Sequence, residues 1–169
     1  EICACLVGSE MCIRDRVQGA FAQTFADLFG GGRGQLALED ERDVLQCGID
    51  IQVQPPGKTL RSISLLSGGE RALVAIALYF AILKVRPTPF VVMDEIEAAL
   101  DDNNVARFAH YMRSMADKTQ FIVITHRRGT MVSADRLYGI TMQEKGVSTL
   151  VSVSLIEAQM EREEEKAEL

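Results

Sequence analysis

Two carboxylates stand side by side at Asp94 and Glu95, directly after the apolar run Phe90-Val91-Val92-Met93. A continuous apolar run suits a parallel strand covered on both faces, and the carboxyl edge of a parallel sheet is where ligands bind. Adjacent strand residues point to opposite sides, so the two acids are expected to do different jobs. One can hold Mg²⁺, usually through water, and the other can polarise an attacking water. The plain alternative is a pair of acids capping the next turn. It leaves unexplained why two charges end a buried strand.

A second group is Ser67-Gly68-Gly69. Ser67 sits where a helix N-cap belongs, with both glycines in the first turn. Unpaired N–H groups and the helix dipole make such a terminus attractive to anions, and glycines let a phosphate approach the backbone. An ordinary capped helix after a glycine turn is the competing reading. The third group is His126, which follows the apolar run Phe121–Thr125. At the carboxyl edge of a strand, a histidine can contact a phosphate or its water; alone, it is more often structural.

These residues need elements to position them. Val17 to Phe29 reads as an amphipathic helix, with Val17, Phe21, Phe25, Leu28 and Phe29 at helical spacing, stopped by Gly30-Gly31-Gly32. Gln35–Leu38 and Gly48–Gln54 read as strands, the second ended by Pro55-Pro56-Gly57. Arg71–Val85 is apolar nearly all round and is expected to be a buried helix that ends before Pro87 and Pro89. Asp102–Ala116 is a helix with Val105, Phe108, Ala109, Met112 and Met115 inward. Leu137–Met142 and Val147–Leu155 are expected to finish the sheet. Strand, helix, strand in this order implies a parallel α/β core. The strands near Leu36 and Ile51 form a smaller antiparallel part.

Gly57-Lys58-Thr59 imitates the end of a phosphate-binding loop. The first glycine of that pattern belongs at position 52, which is Gln, and two prolines stand where N–H donors are needed.

The chain has 169 residues, 47% hydrophobic and 25% charged, which is ordinary for one soluble domain. Its net charge of -6 supplies no global field for nucleic acid. The longest apolar stretch, Ala72 to Val85, is interrupted by Tyr79 and Lys84 and falls short of a membrane span. Cys3, Cys5, Cys12 and Cys47 lack the spacing of a zinc site and read as free thiols in a reducing cytoplasm. Residues 1–16 mix Cys, Gly and charge without a period. They are read as a foreign, poorly packed segment. Residues 157–169 read as a charged, solvated tail.

The order of these motifs resembles the head of structural maintenance of chromosomes (SMC) ATPases, especially the bacterial form. The resemblance runs through LLSGGERALVAIALYFAIL (65–83), PFVVMDEIEAALDDNNVARF (89–108), QFIVITHRRGTM (120–131) and ADRLYGITMQEKGVSTLVSV (134–153). It implies an ABC-type ATPase of the P-loop NTPase class. The expected fold is the C-terminal lobe of the head (17–156), a mostly parallel sheet with flanking helices, with the Walker A half missing. Ser67, Gly68 and Gly69 would then contact the γ-phosphate of ATP on an opposing head. Asp94 would support Mg²⁺, Glu95 would be the general base, Asp101 would belong to the interface D-loop, and His126 would be the switch histidine. Glu97 stands where the family usually has Asp, with little consequence expected.

As the C-terminal half of a head, the chain would serve ATP-driven chromosome condensation and segregation in the cytoplasm, associated with the nucleoid. Its partners would be its own N-terminal half-head, a second head, a kleisin subunit and DNA, with no membrane. Alone, it is expected to hydrolyse ATP negligibly. A related coiled-coil DNA-repair ATPase is one alternative; Ala98-Ala99 before Leu100-Asp101 favours SMC. A transporter subunit is disfavoured by Glu70 and Ile96, where Gln and Pro are usual. A non-catalytic DNA- or partner-binding module is the remaining class, and it predicts that Glu95→Gln changes nothing.

Overall fold

The computed structural model describes the backbone of residues 2–40 and 46–154, with side chains described from residue 13 onward. Helix α1 runs Ile2–Phe29, so the helix expected from Val17 begins fifteen residues earlier. Of the segment 1–16 expected to pack poorly, side chains are described for 13–16, where Ile13 is 51% exposed, and residues 1–12 and the 157–169 tail lie outside the described side chains. Phe21, Phe25 and Leu28 share one face of α1 and are fully buried, because residues three and four apart lie above one another on a helix. Phe25 and Phe29 stack with ring centroids 4.2 Å apart. Gly30, Gly31 and Gly32 all take positive φ and end the helix, as their run predicts.

Strands β1 (Arg33–Leu38), β2 (Ile49–Gln54) and β3 (Arg61–Ser62) form an antiparallel sheet in that order. After a short 3-10 turn, Ile63–Leu65, comes α2 (Gly68–Val85). It is less enclosed than its composition suggests. Leu73, Val74, Ala77, Phe80 and Ala81 are buried, whereas Tyr79 and Ile82 face outward. Phe80 is the centre of the core, with Phe108, Tyr111 and Phe121 rings 5.8, 5.2 and 6.3 Å away. Across the same core, the Thr24 and Tyr111 hydroxyls hydrogen-bond at 2.8 Å.

Strand β4 (Phe90–Asp94) leads through α3 (Asp102–Met115) to β5 (Gln120–Ile124), and β4 and β5 pair in parallel. Val105, Phe108, Ala109 and Met112 face inward on α3, as their spacing predicts. A short helix α4 (Arg128–Met131) precedes the antiparallel hairpin β6 (Arg136–Glu144) and β7 (Val147–Ser154).

Two expectations need correction. The sheet is not mostly parallel: among the described residues β4–β5 is the parallel pair, and β6–β7 forms a separate antiparallel ribbon. Nor is β4 covered on both faces. Val91 and Met93 are buried, while Phe90 and Val92 are 58% and 57% exposed, beside exposed Ile122 and Ile124 of β5. An apolar run records that both faces are oily, but it does not supply the second layer.

Candidate functional site

The carboxyl ends of β4 and β5 bring the chemistry together. Asp94 closes β4 opposite Ile124, on the open face of the pair. Glu95 has already left the strand. Its backbone sits at φ 48, the left-handed region, where it is the non-glycine residue so placed among the described ones. The Glu95 N–H still donates to the Ile124 carbonyl at 2.9 Å, and the Ala98 N–H donates to the Glu95 carbonyl at 3.0 Å. The two acids therefore diverge through a turn in the backbone and not through alternation along one strand.

His126 follows β5, and its Nδ1 lies 3.3 Å from Glu95 Oε1. Both side chains are more than half exposed, so the pair is open to water. A carboxylate within hydrogen-bond reach of an imidazole, both wet, is an arrangement suited to holding and deprotonating a water. Asp94 is exposed and offers hard oxygen donors at the sheet edge. Among the described residues no cluster of three metal-ligating side chains exists. One carboxylate suits Mg²⁺, which is typically held by one or two carboxylates plus waters and substrate phosphates.

Ser67 is the N-cap of α2, as its position predicts, and it forms a capping box with Glu70. Its hydroxyl donates to Glu70 Oε2 at 2.9 Å, and its N–H donates to the same oxygen at 3.3 Å. Lys58 grips the other oxygen of Glu70 at 2.7 Å. The Lys58 ammonium holds the Glu70 carboxyl below its ordinary range, assisted by the Ser67 donors and against the opposing effect of burial. Gly68 and Gly69 begin the helix, where their N–H groups have no intrahelical partner. A Cβ on Gly69 would meet the Ala99 carbonyl at 3.1 Å, so the start of α2 abuts the turn that follows Glu95. Among the described residues no hydrogen bond joins Ser67 to Asp94, Glu95 or His126.

Asp101 caps α3, accepting from the Asn104 N–H at 2.8 Å and from Asn104 Nδ2 at 3.1 Å. Lys58 of the Gly57-Lys58-Thr59 tripeptide is ion-paired with Glu70 at 2.7 Å.

The sequence undervalued Glu97. It is fully buried, and its Oε1 accepts from Thr125 Oγ1 at 2.5 Å and from Thr130 Oγ1 at 3.0 Å. Arg127 was also missed; its guanidinium donates to the Leu100 carbonyl and lies 3.7 Å from Asp102. The threonines flanking His126 were the available signal, because a hydroxyl next to a buried acid is its natural partner.

Known proteins are similar to this chain in sequence and in fold. The family described as the RecF/RecN/SMC N terminal domain matches residues 37–149. The chromosome partition protein Smc of Bacillus subtilis (strain 168) is 61% identical over 142 residues, covering 84% of this chain and 12% of that protein. The chain thus spans about 12% of the length of the curated Smc relatives it matches. An Smc head domain with an extended coiled coil, bound to the C-terminal domain of ScpA and derived from Pyrococcus furiosus, superposes with a TM-score of 0.82. It is 42% identical over 90% of this chain and 38% of that one. A chain solved in work on ATP-driven dimerization and DNA-stimulated activation of SMC ATPases has a TM-score of 0.81. It is 40% identical and covers 94% of this chain and 96% of that one.

One expectation falls here. The domain that matches is described as an N terminal one. This overturns the assignment of the chain to a C-terminal half of the head and the function drawn from that assignment. The labels C-terminal lobe and missing Walker A half lose their support with it. What the match over residues 37–149 and the 61% identity do establish is that the chain belongs to the RecF/RecN/SMC family and carries the SMC head ATPase fold.

Proposed function

We propose that the chain is part of the ATPase head of an Smc-type chromosome partition protein. The observation that carries this reading is the Glu95–His126 pair, 3.3 Å apart, at the end of a parallel strand pair and beside Asp94. In this reading Glu95 takes the proton from the attacking water, and His126 holds that water and the transferred phosphate in register. Asp94 would hold Mg²⁺, which, when bound, neutralises charge on the phosphates. Ser67, Gly68 and Gly69 would present the α2 terminus to the γ-phosphate of an ATP bound on a second head. The open apolar face of β4–β5 supports a place inside a larger head.

The partners proposed are a second head, a kleisin subunit of the ScpA kind and DNA. Smc-type heads are described in ATP-driven dimerization and in complex with ScpA. The test uses the complete protein that carries this segment. Glu95→Gln keeps the shape of the side chain and loses the base, so hydrolysis should fall by about 10²–10⁴ while ATP-dependent head pairing persists. Unchanged hydrolysis would show that the site is not catalytic.

A further inference from the structure

We infer that Glu97 is a positioning residue that holds the Glu95–His126 pair in register. The inference rests on the reading of that pair as the hydrolytic site. Glu97 lies two residues after Glu95 and is fully buried. Its Oε1 receives the hydroxyl of Thr125, the residue before His126, at 2.5 Å, and the hydroxyl of Thr130 on α4 at 3.0 Å. Thr125 Oγ1 in turn accepts from the Arg127 N–H at 3.0 Å, so the bridge reaches the backbone on the far side of His126. The Leu100 N–H donates to the Glu97 carbonyl at 2.9 Å and closes the turn behind it.

One oxygen therefore ties the turn that carries Glu95 to the loop that carries His126. This matters because both site residues lie past the last β4–β5 residue pair, with the Glu95 N–H to Ile124 carbonyl bond as the cross-strand tie beyond it. Glu95 sits in a left-handed conformation that costs about 1–3 kcal/mol and persists only where surrounding contacts over-determine it. His126 lies beyond the last β4–β5 pair, Asp94 with Ile124. A side chain needed only to fill the core at this place would be apolar. A carboxyl here meets a burial cost that Oε2, which has no hydrogen-bond partner among the described residues, does not offset. The Oε1 bridge offsets part of that cost.

The bridge needs one acceptor oxygen and no charge, and this separates it from an electrostatic role. In the complete protein, Glu97→Gln retains an oxygen in the place of Oε1 and should keep kcat for ATP within about threefold of wild type. Glu97→Leu fills similar space without an acceptor. Its kcat should fall about 10- to 100-fold with KM for ATP within about twofold, the scale expected when a reacting group shifts by about 1 Å. Thr125→Val and Thr130→Val each delete one half of the bridge and keep the shape. They should lower kcat in the same direction, and they decide the question if Glu97→Leu does not fold. Full turnover in Glu97→Leu, or in both valine variants, overturns the inference, as does an equal loss in Glu97→Gln and Glu97→Leu. Glu95→Gln, measured alongside, separates the two levels. If it leaves hydrolysis intact, the catalytic reading itself is wrong; if it abolishes hydrolysis while the bridge variants do nothing, only the positioning role is wrong.

Discussion

The Glu95 carboxylate and the His126 imidazole meet at 3.3 Å, although 31 residues separate them in the chain. Parallel pairing of β4 with β5 brings their ends together, and each residue follows directly or nearly so from its strand. Two groups that act on one water do not contribute independently. Removing either should cost most of what removing both costs. In the complete protein, His126→Ala should lower ATP turnover by about 10²–10⁴-fold, on the scale of general acid–base effects. Combined with Glu95→Gln it should add little. Steady-state kinetics on the two single variants and the double variant test this, and strictly additive losses would show that the residues work apart.

The backbone of Glu95 allows a stability test that needs no activity. At φ 48 a side chain is strained and glycine is not. Glu95→Gly should leave the thermal midpoint of the chain unchanged or slightly raised. Glu95→Val, β-branched at positive φ, should destabilise relative to Gly by about 1–3 kcal/mol. Equal stability of the two variants would show that the left-handed turn does not persist in solution.

The start of α2 is expected to respond to pH. The Glu70 carboxyl titrates below its ordinary value of 4.5 because Lys58 and Ser67 stabilise its charged form. A lowered carboxylate contributes stability that is fully present above the unfolded value. That contribution is lost as pH falls through the folded value. Denaturation monitored from pH 6 down to about pH 3 should show a loss of stability that is smaller in Glu70→Gln. The pair is solvent-facing, so the effect should stay within about 1 kcal/mol.

Ser67→Ala removes the N-cap acceptor of the Glu70 N–H. It should cost about 1 kcal/mol, measured by urea unfolding with unchanged slope. A change in the slope would mean that more than the helix terminus has been altered.

Phe80 is fully buried and lies against the rings of Phe108, Tyr111 and Phe121 across the core, as well as that of its neighbour Tyr79. Phe80→Ala should cost about 3–5 kcal/mol, since the cavity adds to the lost transfer energy. Tyr79→Ala, next to it but exposed, should cost much less. Similar losses in the two variants would contradict this placement of the core.

Local chemistry made much of this protein legible in its sequence. The glycine run after Phe29, the prolines after Val85, the serine before Gly68 and the spacing of Val105, Phe108 and Met112 each act through nearest neighbours, and the elements formed where those residues require. The motif order was enough to recognise the SMC family. It did not establish which part of the head the chain represents, and that assignment was overturned. Tertiary structure decided what depends on distant residues. Apolar text at Phe90–Met93 cannot say that one face lacks a second layer, because covering a face is a property of whatever packs on it. Nothing local to Glu97 marks it as buried; its partners Thr125 and Thr130 lie 28 and 33 residues away and arrive only when β5 pairs with β4. The left-handed turn at Glu95 is likewise set by the Ile124 carbonyl on the neighbouring strand. Short-range sterics and capping can be read from sequence, whereas contacts across a sheet exist only once the chain has folded.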